Sequence, residues 1–321
     1  MGKTLLFITN CILYVVNLSS YLILIKYIET AFRYNNFWFS NLLSIALSPL
    51  YFIYLKRFFF RIKQYRYSIL FPMLAGGLYT IEAILLYYSI NNITLSYYTI
   101  LRSSFILWNV PFFICFLKKK VSYLYYVSCI LLCISYSISI YYYIKLSAKN
   151  WQPTLAILSS CLINAIYNNL IEFSLKKYSI PNMDYHVIFQ LTYFILAIVP
   201  SVIYTFESPP PIEPGYILIM YLLIAISIQF YIINKISILK TDSSIVPSNV
   251  LLSGLDLIRR IVLLLFSFLF FNEVLDTFLI IGLAFFSISS ILLFIDYSIP
   301  ILKMRRQQEQ ESLENIDLLA V

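Results

Sequence analysis

The sequence predicts an all-α integral membrane protein with ten transmembrane helices, arranged as two inverted five-helix repeats. Three observations predict it. The chain is 61% hydrophobic and only 12% charged, with a mean hydropathy of +0.82, whereas a soluble domain carries roughly 25% charged residues. Its apolar residues gather into ten runs, each near the ~20 residues that a helix needs to cross a bilayer. Its lysines and arginines gather at alternate ends of those runs.

The runs lie near 4–25, 37–55, 67–90, 95–117, 121–142, 153–175, 185–206, 215–239, 246–271 and 276–297. Helices are the expected form, because lipid offers no partner to free backbone groups and the runs lack the alternation of a membrane barrel. The first run, Thr4 to Ile25, is long enough to span and lacks a small-residue cleavage pattern, so it reads as a helix. Tight junctions at Asn91–Thr94, Lys118–Lys120 and Asn272–Asp276 separate the third, fourth, fifth, ninth and tenth runs from their neighbours. With only 6 glycines, close helix contacts are expected to rest on Ser and Ala. Residues 1–302 then form one transmembrane domain, with repeat one about 1–145 and repeat two about 150–302, and 303–321 form a disordered cytosolic tail.

Charge placement orients the runs. With the N-terminus cytosolic, the cytosolic segments hold Lys3; Lys56, Arg57, Arg61, Lys63 and Arg66; Lys118, Lys119 and Lys120; Lys176 and Lys177; Lys235 and Lys240; and Lys303, Arg305 and Arg306. Those are sixteen, against Lys26, Arg33, Lys145 and Lys149 on the other side. Cytosolic loops carry the excess of Lys and Arg, so both termini are expected in the cytosol, and an even helix count follows. The net charge of +8 is thereby an orientation signal, and nucleic acid is not an expected partner.

The halves share a pattern. Near the end of each, an Arg-bearing run meets a charged turn and gives way to a last apolar run: Arg102, Lys118–Lys120, 121–142; then Arg259, Asn272–Asp276, 276–297. Five helices per half place the halves in opposite senses, as in the inverted repeats of secondary transporters. Periodicity alone leaves the repeat open.

Polar residues inside the runs mark the candidate site. In the run from Val246 to Phe271, Asn249, Ser253, Asp256 and Arg260 share one helical face, with Arg259 beside it. A charge at that depth costs several kcal/mol unless it is paired or lines a wet cavity. An Asp256–Arg260 pair at i,i+4 neutralises itself, yet leaves Arg259 to be explained. Glu82 lies roughly 12 Å before the Asn91–Thr94 turn and Arg102 roughly 10 Å after it, at ~1.5 Å per residue. Their depths match, so they are expected to pair, as a structural ion pair or as a gate. The sixth run carries Ser160, Asn164, Asn168 and Glu172 at i,i+4 steps, with Asn169 adjacent; the first carries Asn10, Tyr14, Asn17 and Tyr21; the eighth adds Gln229 and Asn234. Such stripes serve as interhelical glue, or converge on a shared cavity.

Catalysis is not expected. The cysteines Cys11, Cys115, Cys129, Cys133 and Cys161 all fall in apolar runs and read as small hydrophobes. The only histidine, His186, stands near a run end, where solvent contact is the default. No nucleophile–base set, metal-ligand cluster or phosphate loop can be assembled, so neither cofactor nor metal is expected. The sequon Asn92-Ile93-Thr94 lies in a turn too short to suit an acceptor.

The ninth run also carries a resemblance. Leu255-Asp256-Leu257-Ile258-Arg259-Arg260-Ile261-Val262, then Leu265-Phe266-Ser267 and Phe271-Asn272-Glu273, resembles the penultimate helix of the drug/metabolite transporter superfamily, closest to the F-type members of its solute carrier 35 branch. Ile100-Leu101-Arg102-Ser103-Ser104 before Lys118–Lys120 is similar to that branch's fourth helix, and Glu172 before Lys176-Lys177-Tyr178 to the end of its sixth. Chloroquine-resistance-type transporters are similar too, but have a longer lumenal loop than the Glu207–Pro214 segment allows. The resemblance implies two inverted five-helix repeats and alternating access around a central cavity. It also implies a metabolite cargo in a Golgi, endoplasmic-reticulum or lysosome-like membrane.

The expected function is therefore secondary active transport of a small polar, anionic metabolite across an endomembrane. Glu82, Arg102, Asn168, Asn169, Asn249, Ser253, Asp256, Arg259 and Arg260 would line or gate the cavity, since arginines suit phosphate or carboxylate groups. Glu82 or Asp256 is the expected carrier of a coupling proton; a counter-substrate is the other option. Nucleotide-sugar/nucleotide-monophosphate exchange is the second reading, and a non-transporting scaffold or sorting receptor acting through its tail the third. Membrane lipid surrounds the chain in each, and an oligomer is compatible with all. In the tail, Glu314 with Leu318 and Leu319 resembles an acidic dileucine signal read by clathrin adaptors for lysosomal or vacuolar delivery. An amphipathic tail accounts for the same residues.

Overall fold

A computed structural model describes residues 2–32, 39, 43–44, 68–90, 92–102, 104–115, 123–147, 151–207, 215–240, 248–271, 277–278, 280–293 and 295–296. Most of the second run, the junctions Lys118–Lys120 and Asn272–Asp276, the segment after Glu207, and the tail with Glu314, Leu318 and Leu319 lie outside the described residues. Helices α1 (Gly2–Phe32), α2 (Leu70–Ile90), α3 (Leu95–Arg102), α4 (Phe105–Cys115), α5 (Tyr123–Ser147), α6 (Gln152–Tyr178), α7 (Asn182–Glu207), α8 (Tyr216–Lys240) and α9 (Ser248–Phe271) follow in order, with no strand among the described residues. A shorter apolar helix, Ile280–Leu293, comes last.

Among the described residues, six stretches are long and apolar enough to cross a membrane, one each in α1, α2, α5, α6, α7 and α8. At 24 residues α9 is also long enough, but each 18-residue stretch of it contains Asp256, Arg259 and Arg260. Large apolar side chains stand outward along the spans, such as Ile130, Ile195 and Leu269. In water so much exposed apolar surface would drive association; in lipid it is the expected outer face. The chain is a helical, multi-pass membrane protein.

One expectation needs correcting. A single helix over 95–117 is not formed: α3 stops at Arg102 and α4 restarts at Phe105. A tight turn makes the break, with the Ser104 N–H donating to Leu101 O at 3.0 Å and Ser104 O accepting from Leu107 and Trp108 N–H at 2.9 and 3.2 Å. α3 thus ends in the protein interior, with Leu101 O accepting from Ser104 N–H, and that end matters for the site below.

Helices pair mainly across the middle of the chain. α1 packs on α8 and α9, α2 on α6 and α7, α4 on α6, and α3 on α9. Ser96 and Ser267 share a 2.7 Å hydrogen bond between α3 and α9. Ser135 Oγ donates to Gly282 O at 2.6 Å, and Ser289 Oγ to Ser128 O at 2.8 Å, tying the last helix to α5. Serine thus supplies the close contacts that so few glycines cannot. α6 starts with Pro153 in its first turn and ends at Ser179, whose left-handed backbone (φ 50°) returns its N–H to Leu175 O at 3.1 Å.

Gly76 lets α2 approach the backbone of α7 closely. A Cβ there would stand 2.6 Å from the Phe189 carbonyl oxygen and 3.0 Å from Thr192 Cβ, whereas at Gly77 the nearest atom is Leu196 Cδ1 at 3.7 Å. Backbone cannot yield as a side-chain tip does. Gly76→Ala is therefore expected to cost about 1–3 kcal/mol in thermal unfolding of the detergent-solubilised protein, and Gly77→Ala much less. Equal melting of the two variants would contradict this packing.

Candidate functional site

Residues of seven helices, α1, α2, α3, α4, α6, α8 and α9, line a cavity of about 50 Å³. Its wall includes the charged side chains Glu82, Arg102, Asp256 and Arg259, with Tyr14, Tyr21, Tyr79, Tyr98 and Tyr231 between them. Such a volume has room for roughly three to five waters and falls well below the ~300 Å³ at which ligand pockets begin. The site is closed around its charges. A metabolite fits only after helices part.

The first-half cluster joins α2, α3 and α6. Glu82 is 1% exposed and pairs with Arg102 through Arg102 Nη2 and Glu82 Oε1, as the matched depths predicted. The same oxygen accepts from Asn164 Nδ2 at 2.5 Å, while Arg102 Nη1 donates to Ser160 Oγ at 2.6 Å. Asn168 Nδ2 in turn donates to Asn164 Oδ1 at 2.7 Å. The i,i+4 stripe of α6 is thus a rail of hydrogen-bonding groups for the ion pair, with Asn164 and Asn168 in the cavity wall.

The second-half cluster centres on one carboxylate. Asp256 Oδ2 accepts from Arg260 Nη2 at 2.9 Å, and Oδ1 lies 3.2 Å from both Arg259 Nε and the Tyr14 hydroxyl that donates to it. The two arginines then part company. Arg259 joins the cavity wall, whereas Arg260, fully buried, donates through Nη1 to Thr99 O at 3.3 Å. Thr99 O lies in the last turn of α3, so Arg260 meets that helix end, where a cation also faces the negative end of the helix dipole. Cys161 Sγ sits 3.4 Å from Arg102 O on the same helix end. The expected face of Asp256 with Arg260 is therefore divided: Arg259 reaches the cavity and Arg260 holds the broken helix.

The other expected residues sort accordingly. Asn169 donates to Asn109 Oδ1 at 3.2 Å and Ala165 O at 2.7 Å, which makes it glue between α6 and α4 and not cavity wall. Asn249 and Ser253 lie on α9, but their side chains are outside the described residues. Gln229 donates to Ser44 Oγ at 2.6 Å, tying α8 to the second run. Glu172, at the foot of the α6 stripe, pairs with Lys176 at 2.7 Å. His186 is not solvated as expected but buried, 1% exposed. No group of three or more metal-ligating side chains occurs among the described residues.

Sequence reasoning missed Lys235. Counted above among cytosolic loop residues, it lies inside α8 and is 3% exposed. Its amine donates to the hydroxyls of Tyr167 at 2.6 Å and Tyr231 at 3.3 Å, and lies over the Tyr167 ring, 4.2 Å from its centroid. The cytosolic count falls to fifteen, still against four. The available signal was the spacing to Tyr231, one helical turn earlier. Tyr79 and Tyr231 were hidden among 29 tyrosines. Tyr79 meets Tyr167 with ring centroids 6.0 Å apart, and Tyr231 meets Tyr14 at 5.3 Å.

The charges of the cavity wall are balanced, Arg102 and Arg259 against Glu82 and Asp256, while Arg260 and Lys235 are buried behind it. Buried charges are costly unless they are paired. Chemically the arrangement can hold a carboxylate or phosphate, orient it with tyrosine hydroxyls and exclude water around it. No protein-family model matches the chain, and no curated protein matches it.

Proposed function

We propose that the chain is a secondary active transporter that moves a small anionic metabolite through this cavity by alternating access. The single observation that carries the reading is the set of buried charges, Glu82 with Arg102 and Asp256 with Arg259, in the wall of one small cavity shared by helices of both halves. Ionisable groups at such depth are expensive and mark substrate or ion pathways. A scaffold acting through its tail has no need of them.

The helix pairing supports ten helices in two inverted repeats. Exchange of the first, third and fourth runs for the sixth, eighth and ninth turns the α2–α6 contact into α8–α1, α4–α6 into α9–α1, and leaves α3–α9 unchanged. The Tyr79–Tyr167 and Tyr231–Tyr14 ring pairs exchange in the same way. Those relations fit the drug/metabolite transporter resemblance of α9. An endomembrane location with both termini cytosolic completes the proposal, supported by the fifteen-to-four charge count and by the dileucine-like tail at Glu314, Leu318 and Leu319.

The test is uptake of labelled inorganic phosphate, malate and UDP-glucose by liposomes carrying the purified full chain. At least one is expected to enter saturably. Arg259→Ala and Arg102→Ala should lower uptake by about 100-fold, the equivalent of about 2.7 kcal/mol for a lost charge-assisted contact. Both variants folded and running at wild-type rates would remove the site assignment, and uptake of none of the three by the wild type would remove the transporter reading.

A further inference from the structure

Lys235 is the one basic residue of the cluster with no carboxylate within ion-pairing distance among the described residues. Glu82 is held by Arg102, and Asp256 is shared by Arg259 and Arg260. Both carboxylates expected to carry a coupling proton are thus engaged by permanent cations. The direction of the lysine side chain is also unusual. Lysines near helix ends ordinarily extend outward to water, and Lys240 does reach the end of α8, donating to Ile180 O at 3.0 Å. Lys235 instead leans back towards the N-terminus of its helix, as helical side chains tend to do, and ends between Tyr231 and Tyr167.

Those hydroxyls connect it to the cavity. Tyr231 is itself part of the wall. Tyr167 Oη also accepts from Asn164 Nδ2 at 3.0 Å, and Asn164 is bonded to Glu82. The amine is therefore one hydroxyl away from the cavity on one side and two hydrogen-bonded groups away from the ion pair on the other. From each helix packed on α8, the groups that act on it are identifiable. α9 presents Asp256 and Arg259, α6 presents Tyr167, and α1 presents Tyr14 beside Tyr231; Arg102 acts from α3. Among the described residues α7 presents no charged group to it.

We propose that Lys235 carries the proton that accompanies the anion. This rests on the transporter reading above. When the anion enters from one face of the membrane, a proton passes from cavity water along the Tyr231 or Tyr167 hydroxyl to Nζ, turning the amine into an ammonium whose charge offsets that of the cargo. When the cavity opens to the other face and the anion leaves, the ammonium is left without a counter-charge and returns its proton to water. A lysine suits this task because it gives up its proton when buried, whereas arginine does not.

The experiment uses the full chain in liposomes with a trapped pH-sensitive dye, and inorganic phosphate, malate and UDP-glucose as probes, with protein-free liposomes as the blank. For whichever probe enters, wild-type uptake should acidify the lumen. In Lys235→Met and Lys235→Arg, protons moved per anion should fall at least tenfold. A second measurement separates coupling from structure: ligand-free Lys235→Met should melt close to the wild type, since it replaces a neutral buried amine, bonded to two tyrosine hydroxyls, by an apolar chain of similar length. An unchanged proton-to-anion ratio in Lys235→Met, wild-type uptake without protons, or a markedly lower melting temperature for Lys235→Met each overturns the proposal while leaving the transporter reading intact. If no probe enters with the wild type, both fall.

Discussion

Asp256→Asn is expected to lower the unfolding free energy by about 3–5 kcal/mol, the cost of leaving a buried charge without its partner. The geometry makes the effect large. Two guanidiniums and the Tyr14 hydroxyl converge on this one side chain, and Arg260 is fully buried behind it. An asparagine keeps the shape and loses the charge that offsets both arginines. A second substitution, Arg260→Met, should recover part of the loss, because it removes the cation that has no water to fall back on. The recovery will be incomplete, since the same change removes the hydrogen bond to Thr99 O. Thermal unfolding of the two single variants and the double variant, read as a double-mutant cycle, measures the coupling. If Asp256→Asn melted within about 0.5 kcal/mol of the wild type, in the range of exposed ion pairs, the cluster would not be holding α9 to its neighbours.

The second large effect separates holding the fold from moving a cargo. Arg102→Met alone leaves Glu82 buried with only Asn164 as partner, and should cost about 3–5 kcal/mol. Glu82→Gln and Arg102→Met together remove both charges at similar volume, and the pair of changes should lie within about 1 kcal/mol of the wild type. Under the proposed transport, uptake should stay abolished in the double variant, because the guanidinium assigned to the anion is gone whether or not the helix bundle is sound. Recovery of stability and uptake together would make Glu82–Arg102 a neutral structural pair.

Much of this was legible in the chain because membrane helices obey few rules. The Glu82–Arg102 pair could be placed by counting residues from the Asn91–Thr94 turn, since a short turn fixes the relative depth of two antiparallel helices and the rise per residue is constant. The i,i+4 stripe of Ser160, Asn164 and Asn168 was readable for the same reason. What escaped depended on which helix lies beside which. Nothing in the spacing of Asp256, Arg259 and Arg260 tells that α3 ends beside Arg260 and offers it the Thr99 carbonyl, so the two arginines looked interchangeable. Asn169 was set beside Asn168 by sequence, yet a step of one residue turns a side chain about 100° around the helix, and that carried it to α4. Lys235 was lost because two lysines at the end of an apolar run read as a loop, when only Lys240 reaches the helix end.

The crossed pairing of the helices has a consequence for how the protein is made. α1, complete at Phe32, has its main partners in α8 and α9, which begin only at Tyr216 and Ser248. At roughly 5–20 residues per second of synthesis, α1 waits on the order of ten seconds or more in the bilayer before α8 leaves the ribosome. During that time the Tyr14 hydroxyl and the Thr99 carbonyl lack their partners from α9. Asp256, Arg259 and Arg260 then enter the membrane late, into a place where hydroxyl and carbonyl groups already stand ready. The order of synthesis lets the most costly helix to insert arrive when its polar neighbours are present, so biogenesis of this chain is a matter of timing as much as of hydrophobicity.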